Sequence, residues 1–480
     1  MRAVAERLAS RTLRNSVLVV GARAVAKIGV FIVVALMLRY LRPEEYGRFA
    51  AMIVYVTLIG VIADLGLQTV FIRDASRDRQ VFLRYLGNLI SARLVFSLLA
   101  LIVLAAVLRL VSPALFPYTL AGFVLLVTTS YSSLLRAIFY IRGRLGYEAI
   151  AIVIEAVIVL ALALYAIRGH ASWDAFLWCY SAGYLFTSLF AIIVLRLRWR
   201  EPIPIRFEPA LLRTVLLSGI PLALGFTITS IYAQVDVVLL QLFKGFTMVG
   251  WYSAANRYID AVAWVPQSAM GAVFPALSMV AATQRAQLTF AYEKSYKMLA
   301  LVGLPLAVGI GVMAFPLIRL LAPNGHFDPA IPALQILAPS VLLLFVNNAF
   351  IYTLTAINRQ LDFTRLSVVT LVINVVLNLA LIPPYGFTGA AAAATLTELA
   401  VFIGGWRLLR NQELRLPVVS SLIGIIASAL VMGIVVYLVR SWSLVAVGAV
   451  GVVVYGAALI MFRALTPEEW SILRAGLTAR

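Results

Sequence analysis

The sequence predicts an all-α polytopic membrane protein with about fourteen transmembrane helices, and three observations predict it. Apolar side chains make up 63% of the 480 residues and charged ones only 12%, against about 45–50% and about 25% in soluble globular chains. The mean hydropathy is +1.00. The apolar residues also fall in runs long enough to span a bilayer. A spanning helix needs roughly 20 apolar residues, so with short loops the repeat is about 34 residues, which leaves room for about fourteen spans and no large soluble domain. The runs are too long and continuous for the alternation of a membrane barrel.

Taken in order, apolar runs place helices at about 15–40, 47–71, 85–108, 114–139, 147–167 and 174–196. A Pro- and Arg-bearing connection from Arg196 to Arg213 follows. Then come about 214–243, 248–278, 297–321, 332–357, 363–383, 388–409, 417–439 and 443–463. Arg2, Arg7, Arg11 and Arg14 ahead of Ala24-Val25-Ala26 imitate a cleaved signal peptide. The apolar stretch continues to Leu38, however, and cleavage would halve the first span, so the segment is expected to be retained.

The net charge of +19, from 39 basic and 20 acidic residues, would suggest nucleic acid in a soluble protein. In a polytopic chain it is first a statement about topology. One set of alternating loops receives the N-terminal arginines, then Arg73, Arg77, Arg79 and Arg84, then Arg136, Arg142 and Arg144, then Arg196, Arg198, Arg200, Arg206 and Arg213. The same side takes Arg285, Lys294, Lys297, Arg359, Arg365, Arg407, Arg410, Arg415, Arg463, Arg474 and Arg480. The opposite side holds Arg39, Arg42, Arg48, Arg109, Arg168, Lys244, Arg319 and Arg440. The richer side is expected to be cytoplasmic, with both termini inside the cell and the chain in the cytoplasmic (inner) membrane. Cys179 is the single cysteine and lies in an apolar segment, so no disulfide frame or thiol metal cluster is expected, and His170 and His326 fall in loops.

Residues 34–51 align without a gap over residues 237–254, which puts Gly47, Phe49 and Ala51 over Gly250, Tyr252 and Ala254. Both segments occupy the same ordinal place in a six-span unit. Two six-helix lobes in a parallel pseudo-repeat around a central cavity follow, since an even number of spans keeps both copies in one orientation. The expected organisation is an N-terminal lobe at 1–200, a cytoplasmic linker at 201–212, a C-terminal lobe at 213–412, and two extra helices with a tail at 413–480.

Ionisable residues inside spans cost roughly 2.5–3.5 kcal/mol each on insertion scales, so each needs a partner or a wet cavity. The bases are Arg23, Lys27, Arg93 and Arg257; the acids are Asp64, Glu155, Asp236, Asp260 and Glu398. Arg23 and Lys27, four apart, share one helical face, which suits water or an anion, with snorkelling to the interface as the alternative. Arg257 and Asp260, three apart, can neutralise each other. Glu155 and Glu398 have no base within one turn, so they suit reversible protonation or a salt bridge to the Arg23 and Lys27 face. Gln234, Asn256, Asn347, Asn348, Asn374 and Asn378 can contact sugar hydroxyls or cross-link helices. A phosphate-cradling Gly-Lys motif, a zinc pattern and a nucleophile elbow are all missing, and the outer loops are too short for a catalytic domain.

Three segments resemble a known family. They are Leu38-Arg39-Tyr40-Leu41-Arg42-Pro43-Glu44-Glu45-Tyr46-Gly47 with Ala63-Asp64-Leu65-Gly66-Leu67, Asp236 to Leu240 with Val249-Gly250-Trp251-Tyr252-Ser253-Ala254-Ala255, and Pro383-Pro384-Tyr385-Gly386-Phe387-Thr388-Gly389-Ala390-Ala391. In that order they resemble the polysaccharide-repeat-unit flippases of the multidrug, oligosaccharidyl-lipid and polysaccharide exporter superfamily. The resemblance implies two six-helix lobes in a V. It also implies, as substrate, an oligosaccharide on a polyprenyl diphosphate carried from the cytoplasmic to the outer leaflet. Basic cavity residues would hold the head group, and Arg23, Lys27, Arg93 and Arg257 are the positions that can serve. Asp64, Glu155, Asp236, Asp260 and Glu398 are candidates for coupling to a proton or sodium gradient, and Gln234, Asn256, Asn374 and Asn378 for sugar contacts.

Neither a cofactor nor a metal nor nucleic acid is expected, and the chain would work as a monomer beside a polysaccharide polymerase and glycosyltransferases. A peptidoglycan-precursor flippase carries the same diphosphate and stays open as an alternative. A drug exporter for organic cations would want acids rather than bases in its lobes, although Asp64, Glu155 and Asp236 keep it open. A polymerase or ligase would need a large outer loop.

Overall fold

The computed structural model describes residues 2–75, 79–203, 206–283, 285–412, 414, 419–466 and 469. Arg77, Arg415, Arg474, Arg480 and the tail beyond Glu469, expected to be cytoplasmic, lie outside the described residues. Among the described residues every regular element is a helix. In order they are α1 (Arg2–Tyr40), α2 (Pro43–Asp64), α3 (Leu67–Ala75), α4 (Arg79–Val111), α5 (Thr119–Ile141), α6 (Leu145–Arg168), α7 (Ala175–Ile193) and α8 (Pro209–Lys244). They continue as α9 (Phe246–Thr283), α10 (Arg285–Val312), α11 (Ala314–Leu321), α12 (Ala330–Ala356), α13 (Gln360–Tyr385), α14 (Phe387–Arg410), α15 (Val419–Leu438) and α16 (Leu444–Met461). Apart from the short α3 and α11, these follow the fourteen expected spans in order. Among the described residues 11 helices are long and apolar enough to cross a membrane, so this is a multi-pass membrane protein; α8, α9 and α15 complete the order by position.

Where the observed helices depart from the expected ones, the backbone gives the reason. The second span was expected over 47–71 but ends at Asp64, because Leu65 (φ 44°) and Gly66 (φ 74°) both enter the left-handed region and release the chain into α3. The ninth span was expected over 297–321. It starts at Arg285, so that Lys294 and Lys297 stand inside a helix rather than in a loop, and it breaks at Met313 before α11. Arg136 likewise belongs to α5 and not to the loop after it.

The chain divides into two compact units, Met1–Gly250 and Trp251–Arg480. In the first, α1 lies along α6, α5 along α7, and α2 against α4, α5 and α8. Phe71, Phe82, Leu86, Leu135, Phe139 and Leu195 form a shared core of α3, α4, α5 and the segment after α7. Between membrane helices, burial from water drives little of the association, so close packing and interhelical hydrogen bonds carry it. The start of α2 shows both. Pro43 occupies the first helical position, and the Arg42 N–H donates to the Glu45 carboxylate at 2.8 Å. Gly47 then packs directly on the start of α9: a Cβ on Gly47 would stand 1.8 Å from the Phe246 carbonyl oxygen, and one on Gly250 would stand 2.0 Å from that of Pro43. The two glycines that the internal repeat superposes are therefore the two that bring these backbones together.

In the second unit α12 lies between α10 and α14, α13 packs on α14, and α15 lies on α10 and pairs with α16. The Tyr455 hydroxyl of α16 donates to the Leu301 carbonyl of α10 at 2.7 Å. The turn from α13 to α14 uses Gly386 at φ 60°. Gly389 follows at a point where a Cβ would meet the Leu381 carbonyl oxygen at 2.1 Å. Trp251 stacks edge-on to Phe387, with ring centroids 5.4 Å apart, and its indole N–H donates to the His326 carbonyl at 3.1 Å.

Candidate functional site

Arg23 and Lys27 stand in the first turns of the apolar stretch Gly21–Tyr40 of α1, and both are exposed. Their spacing of four residues keeps them on one face. The Arg23 guanidinium donates to the Tyr140 hydroxyl at 2.6 Å, and no carboxylate partner of Lys27 occurs among the described residues.

Arg93 has a different environment. Its side chain is 0% exposed, paired with Asp64 at the end of α2, and it donates to the Ser130 carbonyl, to the Ser130 hydroxyl at 2.9 Å and to that of Ser133 at 3.2 Å. The expectation that Arg93 offers its charge to an open cavity does not match this placement: Nη1 and Nη2 tie α4 to α5 and α2, and Nε is enclosed without a partner among the described residues.

A second cluster joins four helices of the same unit. Arg136 of α5 grips Glu148 of α6 through Nε and Nη2, at 3.0–3.3 Å. Its Nη1 stands 3.7 Å from Glu155, which in turn accepts from the Thr187 hydroxyl of α7 at 2.5 Å. The Tyr140 hydroxyl, bonded to Arg23 of α1, lies 3.4 Å from Glu148. Glu155 therefore has a basic neighbour, but on another helix. Sequence reasoning missed Glu148, Tyr140 and Thr187 and put Arg136 outside the span. One signal was available: Glu148 and Glu155 are seven apart, and Arg136 and Tyr140 four apart, so each pair shares a helical face.

In the second unit Arg257 and Asp260 do face each other, Nη1 to Oδ2 at 3.4 Å, and Asn256 donates to Asp260 at 3.4 Å. Glu398 accepts from the Asn347 amide at 2.8 Å. Asn374 and Asn378 are buried; Asn374 donates to the Thr397 hydroxyl at 3.2 Å and Asn378 to the Asn374 carbonyl at 2.9 Å. Asn374 thus cross-links α13 to α14, whereas Asn378 bonds within its own helix, and the buried Asn348 likewise donates to its own helix at Leu344. In the first unit, Asp236 is buried and accepts from the Val237 N–H at 2.9 Å, while Gln234 is half-buried on α8. Two cavities of the second unit, of about 600 and 720 Å³, include none of these residues.

Residues 12–281 match the sequence profile of the family described as "Polysaccharide biosynthesis protein". This chain belongs to that family. Its curated relatives include a probable flippase, AglR, from Haloferax volcanii, 24% identical over 44% of this chain and 45% of the relative. They also include the succinoglycan biosynthesis transport protein ExoT from Rhizobium meliloti, 26% identical over 68% and 66%. The chain spans less than half the length of the first of these relatives.

Among solved structures, a lipid II flippase, MurJ, in an inward closed conformation superposes with a TM-score of 0.76 at 14% identity, over 94% of this chain and 99% of that one. A likeness at that identity bears on the fold. The expected all-α polytopic fold is therefore the observed one, and the family match covers both clusters of the first unit.

Proposed function

We propose that this protein is a flippase, not an enzyme, that moves an oligosaccharide on a polyprenyl diphosphate from the cytoplasmic to the outer leaflet by alternating access. The observation that carries this is the pair of exposed cations, Arg23 and Lys27, on one face of a membrane helix. A diphosphate brings about two negative charges to a region of weak screening, where guanidinium and ammonium groups attract it and donate several charge-assisted hydrogen bonds. The family, and relatives that are a probable flippase and a succinoglycan biosynthesis transport protein, support the substrate class. The polyprenyl tail stays in lipid while the head group crosses, and an ion gradient, of protons or sodium, supplies the energy. In this reading the chain lies in the cytoplasmic membrane with both termini inside, and it hands its cargo to a polysaccharide polymerase supplied by glycosyltransferases.

The test is reconstitution into liposomes with fluorescent lipid-linked oligosaccharide. Wild type should flip it, and Arg23→Ala/Lys27→Ala should lose about tenfold or more, as expected for charge-assisted contacts of about 1.5–3 kcal/mol each. Equal flipping by both would overturn the cationic-face idea. Because the peptidoglycan precursor shares the diphosphate and the MurJ fold is shared, the assay should include that lipid. Faster transport of it than of the oligosaccharide lipid would move the substrate assignment.

A further inference from the structure

Deeper in the first unit, two carboxylates share one guanidinium. Glu148 sits in the first turn of α6 with its side chain 2% exposed, and Arg136 holds it with two donors. Glu155 lies two turns further on, ten residues into the helix and thus about 15 Å along it, near the middle of a roughly 30 Å hydrocarbon layer. The Arg136 edge that reaches Glu155 is 3.7 Å away, beyond hydrogen-bond distance, and the Thr187 hydroxyl is its bonded donor. With both acids ionised the trio carries one net negative charge at depth. That charge is costly in a medium of low dielectric, and one proton removes it. Of the two acids, Glu155 is the more weakly held.

We infer that Glu155 is a proton-binding site, with Arg136 as a counter-charge shared with Glu148. This rests on the proposal above that an ion gradient drives transport, and it names the ion and the residue. The step is a simple protonation: an O–H bond forms on the Glu155 carboxylate with a proton taken from water, and the proton later returns to water. Protonated, Glu155 no longer attracts Arg136, whose charge is then held by Glu148 alone, and the Thr187 hydroxyl turns from donor to acceptor. The link from α5 to the middle of α6 loosens while the link near the helix end holds. The other titratable groups around the cluster are Arg23, bonded to Tyr140, and Lys27 on α1, Tyr140 on α5, and Tyr184 one turn before Thr187 on α7.

Infrared difference spectroscopy of the carboxyl stretch against pH, on the purified full chain without substrate, tests the site directly. Wild type should show a titrating protonated-carboxyl band that Glu155→Gln removes and Glu148→Gln leaves in place. Survival of the band in Glu155→Gln, or its absence from wild type, overturns the site. Thr187→Val, which removes a donor to the ionised form, should raise the midpoint by about one pH unit. If Glu155→Gln does not fold, that shift decides, and an unmoved midpoint overturns the proposal. In liposomes Glu155→Gln should keep gradient-free exchange of lipid-linked oligosaccharide and lose its acceleration by a pH gradient; an undiminished acceleration removes the coupling role. Wild type that titrates at Glu155 but flips no such lipid would leave the proton site standing and sink the flippase reading instead.

Discussion

Arg93 and Lys27 are both bases inside apolar helices, and the neighbouring helices give them different roles. Arg93 meets Asp64 and two serine hydroxyls, and every part of it is enclosed. The Asp64 side chain is 34% exposed, so Arg93→Ala leaves a carboxylate that water can reach; the cost, about 2–5 kcal/mol, comes from the cavity and from the lost bonds to α2 and α5. Arg93→Ala should therefore lower the melting temperature and the yield of folded protein, while Lys27→Ala, in the open, should leave the melting temperature unchanged and act on transport alone. A thermal-shift measurement on the two purified variants checks this. Asp64→Ala/Arg93→Ala should destabilise by less than the two single variants combined, because the charge it would orphan is gone.

At the scale of elements, glycines decide which helices can touch. A methyl group at Gly47 or Gly250 would overlap a backbone carbonyl of the partner segment, which no rotamer change relieves. Gly60 of the same α2 faces open space, with nothing within 4 Å of its would-be Cβ. Gly47→Ala and Gly250→Ala should each cause loss of folded protein in detergent, measured by size-exclusion chromatography, whereas Gly60→Ala should behave as wild type or slightly better, given the helix preference for alanine over glycine. Wild-type yields for Gly47→Ala would mean that α2 and the start of α9 do not approach as described.

At the scale of the whole molecule, the last two helices are fastened at more than one place. Tyr455 bonds to α10, and beyond α16 Glu469 accepts from Lys294 at 2.6 Å, from Lys297 at 2.8 Å and from the Thr466 N–H at 2.8 Å. Burial of Glu469 raises its pKa, but the two ammonium donors and the backbone N–H outweigh burial and hold it down at about 2, from an ordinary 4.5. A carboxyl whose pKa is lower in the folded chain contributes its full stabilisation above the ordinary value and loses it as pH falls from there toward the folded value. Stability should thus decline between about pH 5 and about pH 2, and Glu469→Gln should remove that part of the decline. Melting curves across that window check it; identical pH dependence in wild type and Glu469→Gln would show that the clamp contributes nothing.

Composition and spacing by themselves determined the fold class, the order of fourteen helices and the glycines at the repeat, because lipid forces a long apolar run to satisfy its own backbone as a helix. They also showed which residues carry charge inside the apolar runs. They did not show that Arg93 is enclosed, that Asn374 and Asn378 bond within the bundle, or that Arg136 belongs to a helix and stands between Glu148 and Glu155. Those outcomes depend on side chains brought together from helices far apart in sequence, on distances of a few ångströms between α2 and α4 or among α5, α6 and α7. Helical periodicity places a residue on a face of its own helix, and only packing decides what that face meets.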